Sequence, residues 1–459
     1  MPGDGRAGSG TASVEHVRCD GCDLPIATMV DAMRRGQLSS SGLVGGFTER
    51  MDAHARLRAV IERNPDAPAL AAARDAERDA RAPLGGVPIL LKDNIDTGDR
   101  LHTTAGSLAL AENRAPQDAP LVARLRGAGA VILGKTNMSE FANYMTGGKA
   151  PNGYSSRGAS TLNPFDETAD PSGSSTGSAV ALATGQCAAA IGTETCGSII
   201  SPSQRAGIVG LKPTVGLVPS AGVIPISPTL DTPGPMARTI ADVAIVLGVL
   251  TGAAYDLRGE LAGARIGLVR PAGDGDAEWR AAAERVADLG RRQGVTWVDV
   301  HLPSHDLGAI LSPIMRCEFA AALDAYLASM RNPAIPPTLA AIIAFNQAHA
   351  DVALRYGQSE LLEAATASPD DPAYRDALDA RDALIARFDA AFARHGVDVL
   401  FLLDADTDIA ALTGFPSLTL PLGRTSAGLP IGSGFIARRG REDALLRVAA
   451  AFETALGRP

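Results

Sequence analysis

Two segments of the chain repeat the same order of local signals: a helix-forming run, a glycine, and then a short apolar run. They are "LVARLRGAGAVILGKTN", which begins at Leu121, and "STGSAVALATGQCAAAIGTET", which begins at Ser175. Helices that alternate with buried strands pack against both faces of one sheet. The alternation therefore predicts an α/β fold, with a mixed twisted β-sheet covered by helices on both faces.

The remaining patterns extend this sheet and add a helical region. Short apolar runs bounded by turn residues are typical of strands, and they occur in "GGVPILLKDNID", "ARIGLVR", "GVTWVDVHLP", "VDVLFLL", "FPSLTLPLG" and "PIGSGFIA". Helical periodicity predicts a helical hairpin over residues 24–65 and covers almost all of residues 308–395. We predict a flexible arm over residues 1–22 and a single domain over residues 23–459, with residues 308–395 as a helical insertion that shapes the substrate pocket.

Size and charge narrow the classes of protein. The chain has 459 residues, 46% of them hydrophobic, and a formal net charge of −9. An acidic chain is a poor match for a nucleic-acid partner, because phosphate binding needs clustered Lys and Arg. We find no apolar run of about 18 residues, which a membrane span would need, and no signal-peptide core. We therefore predict a soluble, cytoplasmic protein with no nucleic-acid or membrane partner.

Five cysteines are present, and only Cys19 and Cys22 are closely spaced. A structural zinc site would need a second such pair, which is missing, so no metal is predicted. An odd number of cysteines in a long chain fits a reducing compartment. We therefore predict free thiols at Cys19 and Cys22, in a mobile N-terminal segment.

The segment "PSGSSTGSAV", which begins at Pro171, allows three interpretations. Four of its ten residues are serine, as in a flexible linker, but strongly patterned segments flank it closely. A helix is predicted to begin near Thr176, and helix N-termini favour anions; however, no lysine follows Gly177 as a phosphate loop would require. The third interpretation is a catalytic serine that faces a second serine.

The segment "TETCGSI" follows an apolar run and contains a serine behind a glycine. A serine on such a turn can expose its hydroxyl, and consecutive backbone N–H groups there can point into one cavity, as an oxyanion hole requires. An ordinary turn is the alternative. The pair Gly197-Ser198 alone does not decide between the two.

A serine nucleophile needs a base, and none of the seven histidines lies in a convincing serine-hydrolase motif. Lys92 ends the apolar run "VPILLK", which predicts a buried stem with its amine at the edge of the sheet. Burial lowers the pKa of a lysine and makes a neutral amine available as a base. A structural ion pair is the alternative role for such a lysine.

Taken together, these pieces resemble the amidase signature family. The resemblance rests on "GGVPILLKDNID", "SGSSTGSA" and "GTETCGSIISPS", followed by "GIVGLKPTVGLVP" and "DTPGPMARTIADVA", and it extends from about residue 24 to the C-terminus. Within the family the chain looks most similar to bacterial peptide amidases, because of "RLRAVIERNPDA", "TAGSLAL", "GAVILGKTNMSE" and "AFNQAH". The resemblance implies a single large amidase signature domain.

The resemblance also implies a Ser–cis-Ser–Lys triad that needs no metal and no cofactor. By position the nucleophile is Ser198, the bridging serine is Ser174, and the base is Lys92. The residues whose backbone N–H groups would form the oxyanion hole are Thr195, Cys196, Gly197 and Ser198. The supporting residues are Ser175, as a hydrogen-bond donor, and Gly173, whose peptide bond to Ser174 would be cis.

Three departures from the family pattern bear on the site. Glu194 stands where the family often has aspartate, and Cys196 stands where it often has glycine; a nucleophilic Cys196 is an alternative. The segment "DADTDIAALTGFPSLTLP" is short and carries Asp404, Asp406 and Asp408. These carboxylates, of which Asp404 and Asp406 are the candidate substrate-binding residues, either face the pocket and favour a cationic substrate or form a solvated acidic loop.

The resemblance implies an amidohydrolase for linear amides, most of all C-terminal peptide amides or amino-acid amides, acting through an acyl-enzyme. Three alternatives stay open. The first is a tailoring amidase or acyl transferase of secondary metabolism, and the second is the glutaminase subunit of a tRNA-dependent amidotransferase. The third is a non-catalytic binding protein with the same fold. The expected partner is the amide substrate, and the chain is expected to be a monomer or a homodimer.

Overall fold

The computed structural model describes residues 18–77, 82–270, 276–403 and 406–457. Thirteen strands occur among them. Their bounds are β1 Val60–Arg63, β2 Pro88–Lys92, β3 Val131–Thr136, β4 Tyr154–Ser155, β5 Ala159–Ser160, β6 Ala189–Glu194, β7 Val209–Lys212, β8 Thr232–Ala237, β9 Arg265–Val269, β10 Thr296–Asp299, β11 Val399–Leu402, β12 Ser417–Arg424 and β13 Pro430–Ala437.

The same residues form fifteen α-helices, and no helix among them is long and apolar enough to cross a membrane. Their bounds are α1 Ile26–Arg34, α2 Ser40–Ala53, α3 Ala67–Glu77, α4 Pro120–Gly127, α5 Thr176–Ala183, α6 Ile200–Ala206, α7 Ile240–Thr251, α8 Ala277–Arg292, α9 Leu307–Met330, α10 Leu339–Ala348, α11 Ala350–Ala353, α12 Ser359–Ala364, α13 Pro372–His395, α14 Asp408–Thr413 and α15 Glu442–Ala455.

Eleven of the strands form one sheet in the order β1-β3-β2-β6-β8-β7-β12-β13-β11-β9-β10. β2 runs parallel to β3 and β6, whereas β8 runs antiparallel to β6. The predicted mixed sheet flanked by helices is therefore confirmed. Leu91 pairs with Ile191, so β2 and β6 end at the same edge. Ligands of such sheets bind outside the carboxyl ends of parallel strands.

The interior strands are covered on both faces. Every residue of β2, β3 and β6 is buried, which explains why their sequences are continuous apolar runs without alternation. A separate apolar cluster lies beneath the helical region, where Phe319 of α9 packs against the rings of Phe141 and Tyr144. The helical region thus packs on the domain through its own core.

The prediction of helix throughout residues 24–65 is wrong at its end. Residues Val60–Arg63 form β1, which pairs antiparallel with β3 and places Val60 opposite Thr136. Two adjacent β-branched residues, Val60 and Ile61, favour a strand, and Arg58 just before them has left-handed backbone angles (φ 52°) that end the helical turn. Pairing with a distant strand therefore overrode the local helical periodicity.

The prediction of free thiols at Cys19 and Cys22 is also wrong, because the two cysteines form a disulfide. Gly46 of α2 makes room for it, since a Cβ at that position would collide with the Cys19 sulfur. Cys22 is fully buried, and its carbonyl oxygen accepts a hydrogen bond from Arg238 (3.0 Å). Residues 19–22 are therefore tied to the domain; residues 1–17 of the predicted arm lie outside the described residues.

Candidate active site

Lys92 is the last residue of β2, and its side chain is fully buried. Its Nζ lies 2.7 Å from Ser174 Oγ, 3.0 Å from the Thr193 carbonyl oxygen and 2.9 Å from Thr193 Oγ1. Because β2 and β6 run parallel, the end of β6 supplies Thr193 beside the amine. The predicted strand-end lysine therefore reaches the predicted bridging serine directly.

Burial lowers the pKa of Lys92 to about 7, although the carboxylates of Asp231 and Glu194 oppose this shift by favouring the ammonium form. A neutral amine has two N–H groups and one lone pair. The Thr193 carbonyl oxygen can only accept, and Thr193 Oγ1 already accepts from Asn94 Nδ2 (3.0 Å). The two N–H groups of neutral Lys92 are therefore used on Thr193, and the lone pair faces Ser174.

The peptide bond between Gly173 and Ser174 is cis, as predicted. Its surroundings are crowded: a Cβ on residue 173 would lie 2.6 Å from Ser139 Oγ and 3.1 Å from Asn152 Oδ1. The Ser174 side chain is fully buried, and its carbonyl oxygen accepts from the Ser139 N–H (3.2 Å). Glycine is therefore the residue that fits before the bridging serine.

Ser175 joins the two serine segments. Its N–H donates to the Ser198 carbonyl oxygen (3.1 Å), and its hydroxyl donates to the Thr193 carbonyl oxygen (3.1 Å). The Thr193 N–H donates back to Ser175 Oγ (3.3 Å). These bonds hold the start of α5 against the end of β6, so the bridging serine and the predicted nucleophile keep a fixed spacing.

The loop from Thr195 to Ser198 connects β6 with α6 and is called the oxyanion loop below. Gly197 in this loop has a positive φ of 74°, a conformation that glycine adopts without strain. Glu194 Oε2 accepts from the N–H groups of Ile199 (2.7 Å) and Ile200 (3.0 Å). The glutamate that departs from the family pattern thus caps the turn that follows Ser198.

The oxyanion loop is available for binding. In the described part of the chain, the N–H groups of Cys196, Gly197 and Ser198 donate to no acceptor. Between the described hydroxyls of Ser174 and Ser198 the structure records no hydrogen bond, which a relay through both would need. Catalytic hydrogen bonds of free enzymes often tighten only when substrate binds. One half of the predicted relay is therefore present in hydrogen-bonding geometry.

Cys196 lies in the oxyanion loop with its side chain partly exposed. Burial, together with the nearby carboxylates of Glu194, Asp408 and Asp406, raises the pKa of its thiol to about 12. A thiol reacts as its thiolate, so this shift makes Cys196 a poor nucleophile at neutral pH. The alternative of a nucleophilic Cys196 loses its chemical basis.

Asp231 is a site residue to which the sequence reasoning assigned no role. It precedes β8 and accepts a hydrogen bond from Thr195 Oγ1 (2.6 Å), which anchors the first residue of the oxyanion loop. Burial raises the pKa of Asp231 to about 6. The only sequence signal was its place at the head of "DTPGPMA", at the edge where β6 and β8 meet.

The acidic segment lies next to the oxyanion loop. Asp406 accepts at Oδ1 from the Asp408 N–H (2.6 Å) and so caps the start of α14. A Cβ on Gly197 would lie 2.8 Å from Thr407 Oγ1. Asp404, the other predicted substrate-binding residue, lies outside the described residues. The described acidic residues are therefore close to the site, and Asp406 has a local structural role.

Comparisons with known proteins identify relatives of the whole chain. A family model described as Amidase matches residues 43–446. A probable amidase of Arabidopsis thaliana is 34% identical over 457 residues, which cover 92% of this chain and 88% of the relative. A glutamyl-tRNA(Gln) amidotransferase subunit from Nitratidesulfovibrio vulgaris is 32% identical, with 94% and 97% covered. The native peptide amidase structure from Stenotrophomonas maltophilia is 41% identical, with a TM-score of 0.88 and 95% and 97% covered.

Proposed function

The chain belongs to the amidase family and is a hydrolase of amide C–N bonds, and from this premise we propose that it hydrolyses C-terminal peptide amides or amino-acid amides. The substrate proposal draws support from the 41% identity to a peptide amidase over 95% of this chain. The proposed catalytic residues are Ser198 as nucleophile, Ser174 as bridging serine and Lys92 as base.

The observation that carries the mechanism is the 2.7 Å contact between Lys92 Nζ and Ser174 Oγ. Neutral Lys92 takes the Ser174 proton while Ser174 takes the Ser198 proton, and Ser198 Oγ attacks the amide carbonyl carbon. The carbonyl oxygen becomes an oxyanion held by backbone N–H groups of the oxyanion loop. Fixed donors of this kind are worth about 3–4 kcal/mol each.

The tetrahedral intermediate then collapses and the C–N bond breaks. The proton held by Lys92 returns through Ser174 to the leaving nitrogen, so that ammonia or an amine departs and an ester on Ser198 remains. Water repeats the sequence: it gives a proton to the same relay, attacks the ester carbonyl, and releases the acid while the proton returns to Ser198. Every proton taken up by Lys92 is thus returned within one cycle.

A panel of amides tests the proposed substrate class. The purified protein is incubated with peptide amides, amino-acid amides and L-glutamine, each also with an added amine, while ammonia is assayed and products are weighed by mass spectrometry. We expect ammonia release and a product heavier by about 1 Da from peptide amides. Release from glutamine alone would contradict the proposal and favour the glutaminase alternative, for which relatives at 32% identity exist. Predominant transfer to the added amine would favour the acyl-transferase alternative.

The acid limb of the activity profile should report Lys92. Its pKa is lowered to about 7 by burial, and only the neutral amine accepts a proton. Below pH 7 the amine becomes protonated, so kcat/KM should fall by about tenfold per pH unit. Initial rates between pH 5.5 and 9 measure the limb, and circular dichroism over the same range excludes unfolding. A rate that stays level between pH 6 and 8 would contradict Lys92 as the base.

The acidic segment gives a prediction about substrate charge. We propose that Asp406 and Asp404 favour a cationic group in the substrate. The Asp406→Asn variant keeps an oxygen that can cap α14 and removes the charge. We expect kcat/KM for a lysine-containing peptide amide to fall about threefold to tenfold relative to its norleucine analogue, as for one lost surface-proximal charge pair. An unchanged ratio would leave Asp406 with its capping role alone; Asp389→Asn, at a partly exposed site on α13, is the control.

A further inference from the structure

A short loop, residues 226–231, connects the oxyanion loop with the helical region. At its end, Asp231 accepts from Thr195 Oγ1 at one carboxylate oxygen (2.6 Å). Its other oxygen accepts from the N–H groups of Ile226 (2.8 Å) and Ser227 (3.0 Å). The carboxylate is therefore saturated by its own loop on one side and bound to the oxyanion loop on the other, so a shift of the loop would move Thr195.

Glu318 of α9 holds the same loop from the other side. Its Oε2 accepts from Ser227 Oγ (2.5 Å) and the Thr229 N–H (3.2 Å). Its Oε1 accepts from Thr229 Oγ1 (2.5 Å) and Tyr374 Oη of α13 (2.9 Å). Four donors converge on one carboxylate, and they come from the loop and from two helices that pack together. Hydrogen bonds to a charged acceptor are shorter and about twice as strong as neutral ones.

We propose that Glu318 is a positioning residue of the active site, which fixes the oxyanion loop through Ser227, Asp231 and Thr195. The inference rests on the proposed function, because it assumes that the oxyanion loop binds the developing oxyanion. It gives the helical region a second role in addition to lining the substrate pocket, since the region then sets the position of donors that act only in the transition state.

The physical reason is the steep dependence of the oxyanion hole on geometry. Its donors must lie at hydrogen-bonding distance from the position that the oxyanion will occupy, and a misplacement of about 1 Å can cost roughly 100-fold in rate. The oxyanion loop contains Gly197 in a glycine-type conformation and makes no side-chain hydrogen bond from Thr195 other than the described one to Asp231. That bond is its lateral support, and Glu318 supports the far side of Asp231's loop.

The Glu318→Ala variant should lower kcat by roughly 10- to 100-fold and leave KM for a small peptide amide within about twofold. The Glu318→Gln variant should retain most activity. Its oxygen can replace Oε2, whose partner Thr229 N–H must donate, while its NH₂ group can donate to the two hydroxyls that Oε1 now accepts from. Glu363→Ala is the matched control, because Glu363 is an exposed carboxylate on the neighbouring α12.

A pair of inhibitors separates positioning of the oxyanion loop from a general loss of structure. Ser198 adds to the carbonyl carbon of a peptide aldehyde and leaves an oxyanion in the hole, whereas the matching peptide alcohol forms no such bond. The wild-type protein should bind the aldehyde more tightly than the alcohol, and Glu318→Ala should reduce this advantage about tenfold or more. Binding of the alcohol should not change. If Glu318→Ala does not fold, the isosteric Thr229→Val variant, which removes one hydroxyl donor to Glu318, should show the same pattern with a smaller effect.

The outcomes distinguish the inference from the proposed function. A Glu318→Ala protein with wild-type kcat and an unchanged aldehyde advantage overturns the positioning role while the triad stands. A lower melting temperature with wild-type kcat per folded molecule overturns it as well, since it shows a structural role alone. If the wild-type protein gives the aldehyde no advantage, or if Ser198→Ala keeps that advantage, the proposed nucleophile fails and the inference falls with it.

Discussion

Replacing Ser198 with alanine should reduce turnover by about 10⁴-fold or more, as the loss of a covalent nucleophile does in serine hydrolases. The Ser198 hydroxyl forms the proposed ester, and no described side chain stands ready to replace it: the Cys196 thiol has a pKa of about 12. The fold should survive, since the described Ser198 hydroxyl makes no hydrogen bond within the chain and a change of one such group alters stability by roughly 0.5 kcal/mol or less.

The measurement is ammonia release by wild-type and Ser198→Ala proteins of matched circular dichroism and melting temperature. Ser201→Ala, on the first turn of α6, is the control and should keep its activity within about threefold. Intact-mass spectrometry after a brief reaction with an activated ester should add one acyl group to the wild-type protein and none to Ser198→Ala. Wild-type rates in Ser198→Ala would refute the assignment.

Replacing Lys92 with methionine should lower kcat by about 10³- to 10⁴-fold while leaving the protein folded. The variant removes the only group in hydrogen-bonding reach of Ser174 Oγ among the described side chains, and positioned acid–base groups contribute about 10² to 10⁴ in rate. Methionine has nearly the shape of the lysine stem, which limits cavity formation.

The polar neighbours of Lys92 retain partners in this variant. The Thr193 carbonyl oxygen still accepts from Ser175 Oγ (3.1 Å), and Thr193 Oγ1 still accepts from Asn94 (3.0 Å). Since a buried amine also costs free energy to desolvate, the melting temperature of Lys92→Met should equal or exceed that of the wild type. Lys149→Met, at an exposed lysine, should behave as wild type. Substantial activity in Lys92→Met at pH 8 would mean that another group accepts the proton.

Local sequence patterns predicted the elements that carry the triad. The apolar run that ends at Lys92, the helix that begins at Thr176 and the strand before the oxyanion loop all lie where the patterns placed them. These elements are buried on both faces or begin at distinct helix-start signals, so local chemistry and tertiary packing agree. The role of each triad residue remains a prediction, which the two variants above test.

Long-range contacts account for what the patterns missed. β1 forms because Val60 pairs with Thr136 of β3, and nothing in its neighbouring residues distinguishes it from the helix before it. Glu318 meets Ser227, 91 residues earlier in the chain, through an uncharged hydroxyl. A glutamate on an amphipathic helix reads as one more solvent-facing charge, and only the folded chain shows that four donors surround it.

The bond between Glu318 and the loop before β8 has a consequence for protein engineering. The proposed triad and Asp231 all precede α7 in the chain, whereas the helical region begins only at Leu307. Such an order invites grafting, in which helices from a relative are exchanged to alter substrate range while the reaction centre is retained. A chimaera of this kind would have to keep a carboxylate at position 318 and its reach to residues 227 and 229, or it would inherit a new pocket together with a slackened catalytic loop.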